Sequence, residues 1–484
     1  MADIHFEQII DQLTPTTQIE TDFEGGLDSL ASDRVEILLL SPIISGATGI
    51  VGQVYDLTSV QRAVDLFGTL SRGVAMLKRI FKIFPRAKVS GMPYAEGSGD
   101  ATLTATFAVD ATGAGKAAIF VAGRKAEIAI ASGDVIADIT AAMIAAVNAV
   151  PDRQWTATAS TPGLVVLTAD SAGAAGNSLR VRTEITPGIG TTLDQGGIGA
   201  PMASGTTDGD PTSQLAGITA SRFDFIVLDT DDDTAAGAVE AHQESQSLPA
   251  NQKWGTGIHA SVANDSGVQT DAQNRDSYRM EVIHQEESVW PLWELAAMLA
   301  AVEAKKGIKF SVAGEKIDGL PPVVDSTKRI AENQIELNLE EGVTPIAIDS
   351  ATGVSSIVRN VTTRQTVPIA FRDTRIIKIS DFTDESIIAG FDKFKSALLK
   401  TESPSASPDT LTPELSTATL NGILLELDAQ DYLQGVKKAI KAGSNFSQIN
   451  SGNPDRIDHG FEFFPTRTAH QKAFRKTYVD RATS

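Results

Sequence analysis

The sequence predicts a multidomain protein of mixed α+β and α/β class, and three observations support this prediction. The chain has 484 residues, which is enough for two to four domains. Strand-like runs alternate with helix-like runs in 31–98 and again in 206–320, a pattern typical of an α/β layer. Between 99 and 205 the composition shifts to Ala, Thr and Gly, with six alternating β-branched runs around one apolar helix.

These changes in composition divide the sequence into five regions. They are an N-terminal arm (1–30), a discontinuous middle α/β domain (31–98 and 206–320), an inserted α+β module (99–205), a C-terminal domain (321–447) and a C-terminal arm (448–484). The module ends in a Gly-rich linker, so we interpret it as an insertion that interrupts the middle domain.

Both arms contain short β-capable runs that cannot bury their own apolar side chains. Alternation places three side chains on one side of each arm: Ile19, Thr21 and Phe23 in the first, and Phe474, Lys476 and Tyr478 in the second. A strand without a partner in its own chain has unpaired N–H and C=O groups, so it binds by completing the edge of another sheet. Neither arm has an obvious partner in its own chain.

Local signals mark several helix ends. Ser59 is placed to cap a helix that Gly68 ends, and Asp134 is placed to cap the apolar helix of the module. Pro291 is expected in the first turn of the helix "PLWELAAMLAAVEA".

Residues 342–364 predict a β-hairpin, because two β-rich runs are joined by a turn. The segment contains no His, Cys or Lys and therefore offers little chemistry. We expect four side chains of the hairpin to face a core: Ile346, Ile348, Ile357 and Val361. The alternation breaks at Ser355 and Ser356, which allows a β-bulge there.

The formal net charge of −20 disfavours nucleic-acid binding over the general surface. The stretch 431–484 has the opposite sign, with nine Lys and Arg against five Asp and Glu. Within it, Lys437, Lys438 and Lys441 are expected to face an acidic partner, and the other interpretation is a solvated helix face. The chain has no cysteine, which excludes disulfides and thiolate metal sites, and no run of 18 apolar residues, so we expect no membrane span.

One stretch, "FIVLDTDDDT", carries a catalytic alternative. A strand that ends in Asp229 and Asp231 is similar to the first motif of haloacid-dehalogenase-type phosphatases, in which one carboxylate is the nucleophile and Mg²⁺ lies beside it. The other interpretation is a strand–helix loop in which Asp232 or Asp233 caps the next helix. The six His residues form no zinc-protease pattern, and "SGATGIVGQ" fits neither the dinucleotide fingerprint nor a Walker loop.

The order of these pieces resembles the tail sheath proteins of contractile-tailed (myovirus-type) bacteriophages with a Mu-like arrangement. Six stretches carry the resemblance: "TQIETDFEGG" (17–26), "DLFGTLSRGVAMLKRIFKIFPRAKV" (65–89), the module core 117–182 with its turn at Gly176 and Asn177, "FDFIVLDTDDDTAAGAVEAH" (223–242), "VTTR" (361–364) and "NPDRI" (453–457). Together these stretches extend over nearly the whole chain.

The resemblance implies a sheath-type core and a structural subunit that is not an enzyme and uses no cofactor. Such subunits polymerise as stacked hexameric rings around a tail tube and contract to drive the tube through the host envelope during genome delivery. The implied partners are other copies of the chain, the tail tube protein, and the baseplate and tail terminator proteins. The resemblance also implies that both arms pair with neighbouring copies and that the hairpin at 342–364 accepts an arm on its backbone edge. The implied location is the virion tail, assembled in the bacterial cytoplasm, with the inserted module on the outside and the three lysines facing the tube.

Overall fold

The computed structural model describes residues 35–196, 199–366, 372–401 and 410–467. The chain divides into two compact units, and the first of them comprises Arg34–Ile377. We call it the larger unit. The second is the smaller unit, described here for 378–401 and 410–467.

An eight-stranded sheet forms the centre of the larger unit, with strand order β16-β15-β14-β13-β12-β1-β3-β2. Its first part contains β1 (Glu36–Pro42), β2 (Tyr55–Asp56), α1 (Val60–Phe67), α2 (Arg72–Ile83) and β3 (Lys88–Tyr94). Its second part contains α4 (Thr212–Leu215), β12 (Phe225–Val227), α5 (Asp233–Gln246), β13 (Thr256–Ser261), α6 (Asp265–Arg275), β14 (Met280–His284), α7 (Leu292–Lys306), α8 (Glu332–Glu340), β15 (Thr344–Ile348) and β16 (Ser355–Ile357). The six strands from β15 to β3 are parallel, and β16 and β2 add antiparallel edges.

Strand β1 is apolar on both faces because helices cover both sides of the sheet. Ile37 and Leu39 join the core formed with α1, α2 and α7, whereas Leu38 and Leu40 join the core formed with α4 and α5. Helix α7 is buried along its first 13 residues, as expected for a helix that is apolar nearly all round.

The inserted module lies between β3 and α4 and folds into two four-stranded sheets, ordered β10-β4-β8-β7 and β11-β9-β5-β6. Its elements are β4 (Thr102–Phe107), β5 (Gly115–Val121), β6 (Arg124–Ile130), α3 (Ile136–Asn148), β7 (Trp155–Ala159), β8 (Leu164–Ala169), β9 (Arg180–Ile185), β10 (Leu193–Asp194) and β11 (Ala200–Pro201). The buried residues of the module belong to the same apolar cluster as α2 and α7. The module is therefore packed onto the α/β layer rather than attached by its linkers alone.

The helix caps predicted at Ser59 and Asp232 agree with the structure. The side chains of Ser59 and Asp232 accept hydrogen bonds from the backbone N–H groups of Arg62 and Ala235. The cap predicted at Asp134 is wrong, because Val135 is the N-cap of α3.

Asp134 instead accepts a hydrogen bond from the N–H of Ala131, which tightens the preceding turn. Asp110, from another loop, accepts from the N–H of Ile136 at the start of α3. The position predicted for Pro291 is wrong by one residue, since Pro291 is the N-cap and α7 begins at Leu292.

The predicted hairpin is present, but it is part of the larger unit. Strand β15 pairs in parallel with β14, so the predicted border between 320 and 321 does not separate two domains. Ile346 pairs with Ile357, and Ile348 with Ser355, in one continuous register. The β-bulge that the sequence allowed at Ser355 is therefore absent from the three paired positions.

The smaller unit is mainly helical around two short sheets. Its elements are α9 (Thr374–Phe391), which begins at the end of the larger unit, followed by β17 (Leu398–Leu399), β18 (Thr410–Leu411), α10 (Pro413–Ala429), α11 (Val436–Ala442), β19 (Phe446–Ile449) and β20 (Ile457–Gly460). Its core contains Leu420, Leu424 and Leu427, and the rings of Phe382 and Tyr432 lie 4.8 Å apart. Thr412 caps α10, with Pro413 in the first turn.

Residues 448–467, predicted as the start of an extended arm, fold against the helices of the smaller unit. Strand β19 pairs with β20, and the N–H of Gln434 donates to the carbonyl of Phe464. The boundary predicted at 448 is therefore wrong, and the arm residues Phe474, Lys476 and Tyr478 lie outside the described residues, as do Ile19, Thr21 and Phe23. Among the described helices, none combines the length and the hydropathy needed to cross a membrane.

A buried histidine in the sheet gives the fold a predicted pH dependence. His259 on β13 is fully buried, and neither ring nitrogen has a hydrogen-bond partner among the described residues. Burial, reinforced by the nearby Arg275 charge, lowers the pKa of His259 to about 3. Asp271 lies 3.6 Å from its Nε2, too far for a hydrogen bond, so we treat His259 as neutral.

We expect the free energy of unfolding to fall as pH drops below about 6.5, because the unfolded state then binds a proton on His259 that the native state refuses. The loss should continue towards pH 3 with a slope of at most about 1.4 kcal/mol per pH unit. His259→Leu should flatten this slope, as measured by urea denaturation from pH 7.5 downwards. Equal slopes for the two proteins would contradict the assignment.

Candidate functional site

Between β1 and β12 the sheet has a switch point, where the connections from the two strands lead to opposite sides of the sheet. Ligands of open α/β sheets bind at such a point. After β1 the chain crosses to β3 on one side, and after β12 it crosses to β13 on the other. The crevice therefore lies beyond the carboxyl ends of β1 and β12. Asp229 and Asp231, the residues of the catalytic alternative, follow β12 at this position.

The crevice is filled by a buried guanidinium. The Nη1 atom of Arg72, at the start of α2, lies 3.1 Å from Asp229 Oδ2 and 3.4 Å from Asp208 Oδ1. The Nη2 atom donates to the backbone carbonyls of Ser171 and Ala172, at 3.2 and 3.3 Å. The Arg72 side chain is 2% exposed and the two carboxylates no more.

Asp208 joins the end of the inserted module to the same network. Its carboxylate accepts hydrogen bonds from the N–H of Ala175 at 3.0 Å and from the hydroxyl of Thr230 at 2.6 Å. Thr230 follows β12, whereas Ala175 lies in the module. One carboxylate therefore connects the module, the returning linker and the α/β layer.

This arrangement argues against the catalytic alternative. Asp229 is fully buried, with one carboxylate oxygen bound by Arg72 and the other by the hydroxyl of Tyr94. Burial raises the pKa of Asp229, and the charge of Arg72 opposes that rise. A carboxylate held on both oxygens and closed off from solvent cannot reach a substrate as a nucleophile.

The surroundings of Asp231 and Asp232 also favour a structural role over a catalytic one. Burial raises the pKa of Asp231 to about 6. Asp232 caps α5, as the strand–helix interpretation predicted. Within the described ranges, no group of three or more His, Asp or Glu side chains is arranged to hold a metal ion.

A second buried ion cluster fastens the module to α2 and α7. Glu294 on α7 is 1% exposed and binds Arg79 of α2 and Arg124 of the module, the latter at 2.8 Å. Burial alone would raise the pKa of Glu294, but the two guanidiniums, Arg124 and Arg79, hold it below its usual value. The module and the α/β layer therefore share charged contacts as well as an apolar core.

The three predicted lysines lie on one exposed face of α11. Lys437, Lys438 and Lys441 are exposed, while Val436 and Ala439 on the other face are buried. None of the three lysines forms an ion pair with a described residue. The structure brings them together as a surface with three free positive charges.

Three of the four hairpin residues are buried as predicted. Ile346, Ile357 and Val361 are at most 2% exposed, and Ile348 is partly exposed.

The outer edge of β16, however, is already occupied by 314–317. The N–H of Ile317 donates to the carbonyl of Ser355, and the N–H of Ile357 donates to the carbonyl of Glu315. An added strand would have to displace this segment.

The β19–β20 hairpin presents edges that are open. It pairs only with itself among the described strands, so each strand has one side on which no other strand lies. Phe446 on β19 and Phe464 beyond β20 are 49% and 47% exposed. A two-stranded sheet is marginally stable alone, and exposed aromatic side chains beside free edges are typical of an interaction surface.

Sequence reasoning missed the buried ion clusters. Arg72 follows the cap residue Ser71 and gave no sign of burial, while Asp208 lies within a Gly-rich linker. A signal was present in α7, where the carboxylates of Glu294 and Glu303 interrupt a largely apolar run. Such a carboxylate needs buried cations, but the sequence does not say which ones.

Two solved sheath tail proteins share the fold of this chain. The sheath tail protein of Desulfitobacterium hafniense aligns with a TM-score of 0.50 and 13% identity, over 94% of this chain and 96% of that one. The sheath tail protein of Listeria innocua aligns with a TM-score of 0.50 and 14% identity, over 92% and 95% of the two chains.

A weaker alignment, with a TM-score of 0.40 and 16% identity over 59% of this chain and 78% of that one, is to a chain in the baseplate of the anti-feeding prophage. No family model matches the sequence, and no curated protein matches it. At these identities the likeness establishes the fold.

We expect Arg72→Met to destabilise the larger unit by about 3–5 kcal/mol, because it leaves two buried carboxylates without their cation. Lys78→Met, which removes an exposed ion pair with Asp152, should cost less than about 1 kcal/mol. Urea denaturation of both variants checks the difference. Adding Asp229→Asn to Arg72→Met should recover part of the loss, and a loss as small as that of Lys78→Met would contradict the role given to Arg72.

Proposed function

We propose that this protein is the structural subunit of a contractile tail sheath. It polymerises as stacked hexameric rings around a tail tube and contracts to drive the tube through the host envelope. The observation that carries the proposal is the shared fold with two sheath tail proteins, which extends over more than nine-tenths of this chain and of each of those two chains. The filled crevice at Asp229 supports a structural rather than an enzymatic role.

The proposed partners are other copies of the chain, the tube, and the baseplate and terminator proteins that bound the sheath at its ends. The proposed location is the virion tail, after assembly in the host cytoplasm. The inserted module is proposed to lie on the outside, where its size does not obstruct the tube. The two buried ion clusters support the proposal that the module is held rigidly in one position.

The arms are proposed to hold neighbouring copies together by strand addition. Backbone hydrogen bonds contribute about 1 kcal/mol each, so an arm of six to eight residues can hold a subunit. We propose the open edges of the β19–β20 hairpin as the acceptor, because no described strand covers them. The hairpin at β15–β16 remains a second acceptor, which requires release of 314–317.

The lysine face of α11 is proposed to contact the tube. Exposed ion pairs are worth at most about 1 kcal/mol each and are weakened by salt. Contacts of this strength can hold the sheath in place and still separate during contraction. The three lysines form no ion pairs with other described residues, which supports the proposal that their charges are available to a partner.

We expect the purified protein to form long hollow cylinders in negative-stain micrographs. Thr21→Pro should prevent cylinders, because proline removes a backbone donor from the arm and disfavours a paired strand. Thr21→Val should keep them, because valine favours strands and retains the N–H group. Circular dichroism should show the same folded content in all three proteins, and cylinders from Thr21→Pro equal to those of the unchanged protein would contradict the arm proposal.

Reversing the lysine face should weaken capture of the tube. The variant Lys437→Glu, Lys438→Glu, Lys441→Glu should recover at least about tenfold less tube protein in pull-downs at low salt, because three weak attractions become repulsions. The matched control is Lys393→Glu, Lys395→Glu, which reverses two other exposed lysines of the smaller unit. Equal recovery by both variants would exclude this face as the tube contact.

A further inference from the structure

A groove with apolar walls and three arginines lies between the module and the loop 321–329. It encloses about 390 Å³ and is lined by Phe120, Val289, Pro321, Val323 and Val324, with Arg180, Arg182 and Arg329 around them. Glu287 is the one acidic residue of its lining. We call it the arginine groove. All of its residues belong to the larger unit.

The three arginines retain capacity for an anionic partner. Arg329 is exposed and has no ion pair with any described residue. The guanidinium of Arg182 stacks 3.9 Å from the ring centre of Phe120, and its Nη1 pairs with Glu184, so part of its donor edge is left for a further carboxylate.

Arg180 is the most buried of the three. It lies 3.4 Å from Glu287 and donates to the carbonyl of Gly199, but its Nε has no partner within the described residues. Burial lowers the pKa of Arg180, and the neighbouring Glu287 only partly offsets that effect. A further carboxylate would stabilise the charge.

The composition of the groove selects for a segment that is both acidic and apolar. Its volume falls within the range of about 300–1,000 Å³ that accepts a few side chains rather than a domain. Arginine clusters recognise carboxylates through paired hydrogen bonds, and apolar walls bind aromatic or aliphatic side chains. On a chain with a net charge of −20, a cationic cavity of this kind is a local exception.

One segment of the chain matches this chemistry. Residues 1–33 contain eight Asp and Glu and no Lys or Arg, and within them Ile19–Glu24 reads I-E-T-D-F-E, with carboxylates alternating with Ile, Thr and Phe. The other chain end, 468–484, has four Lys and Arg against one Asp and would be repelled.

We propose that the arginine groove binds the segment Ile19–Glu24 of a second copy of the chain. This inference rests on the proposed function, since it requires copies to meet in an assembly. Phe23 enters between the apolar walls, and Asp22 and Glu24 pair with the arginines. The contact is specific for an acidic and aromatic sequence, and where it forms it takes the place of strand addition for these six residues.

Geometry favours a second copy over the same molecule. Phe23 is 11 residues before Arg34 and can reach at most about 40 Å from it. The described chain starts at the amino end of β1, whereas Glu287 and Val289 follow the carboxyl end of β14, three strands away. The length of β1, roughly 23 Å, and three strand spacings, roughly 14 Å, lie at right angles and give a diagonal of roughly 27 Å. A fully extended segment would then have only about 13 Å left to pass around the helices that cover the sheet.

The absence of cysteine from the chain makes the test direct. Phe23→Cys is placed on one full-length copy and Val324→Cys, at an exposed position of the groove, on another. After mixing and mild oxidation, we expect disulfide-linked heterodimers to form at least tenfold faster than with the control partner Leu248→Cys, which is also exposed. Arg329→Glu on the groove copy should abolish the difference, and Glu24→Arg on the arm copy should restore it.

The outcomes separate this inference from the proposed function. Three outcomes would each overturn the groove assignment. The linking rates could be equal with Val324→Cys and Leu248→Cys, or the charge exchange could fail to restore the difference. The third outcome is a link that forms only when both cysteines are on one copy. Normal cylinders without the link would overturn it while leaving the sheath proposal in place. A fast, charge-dependent link between copies that form no cylinders would support the groove and reject the sheath proposal.

Discussion

The larger unit depends on one buried ion cluster, in which Arg72 binds the carboxylates of Asp208 and Asp229. It occupies the crevice that other α/β sheets use for ligands, and it joins three stretches that are far apart in sequence. Two buried carboxylates destabilise the fold unless the guanidinium pairs with both of them. The start of α2, the linker at Asp208 and the end of β12 must therefore be positioned together. The same contact that excludes a substrate therefore fixes the place of the inserted module.

Local features of the fold were predictable from the sequence, because they depend on neighbours a few residues apart. The cap at Ser59, the loop at Asp232 and the apolar run of β1 all agree with the structure. The cap of α3 was not predictable, because Asp110, 26 residues earlier, supplies the oxygen expected from Asp134. Arg72 and Asp208 are 136 residues apart, and no periodicity connects them.

The hairpin shows the same limit at a functional surface. Its alternation predicted which side chains face the core, and the burial of Ile346 and Ile357 agrees. Whether its edge is open depends on a different segment, 314–317, whose sequence "GEKI" gives no strand signal. Burial of a face can be read from the strand itself, whereas the availability of an edge is decided by whatever lies next to it in space.

Within the larger unit, shared packing limits where any rearrangement can occur. The apolar core is continuous between the module and the α/β layer, and both buried ion clusters cross the same boundary. Separating the two parts would expose that core and take Arg124 from Glu294. It would also remove the module's backbone groups at Ser171, Ala172 and Ala175 from Arg72 and Asp208, so the total cost would be several kcal/mol. Exposed lysines and strand edges exchange their contacts with water at a cost of about 1 kcal/mol each. A rearrangement inside the larger unit would therefore cost more free energy than an exchange of its exposed contacts.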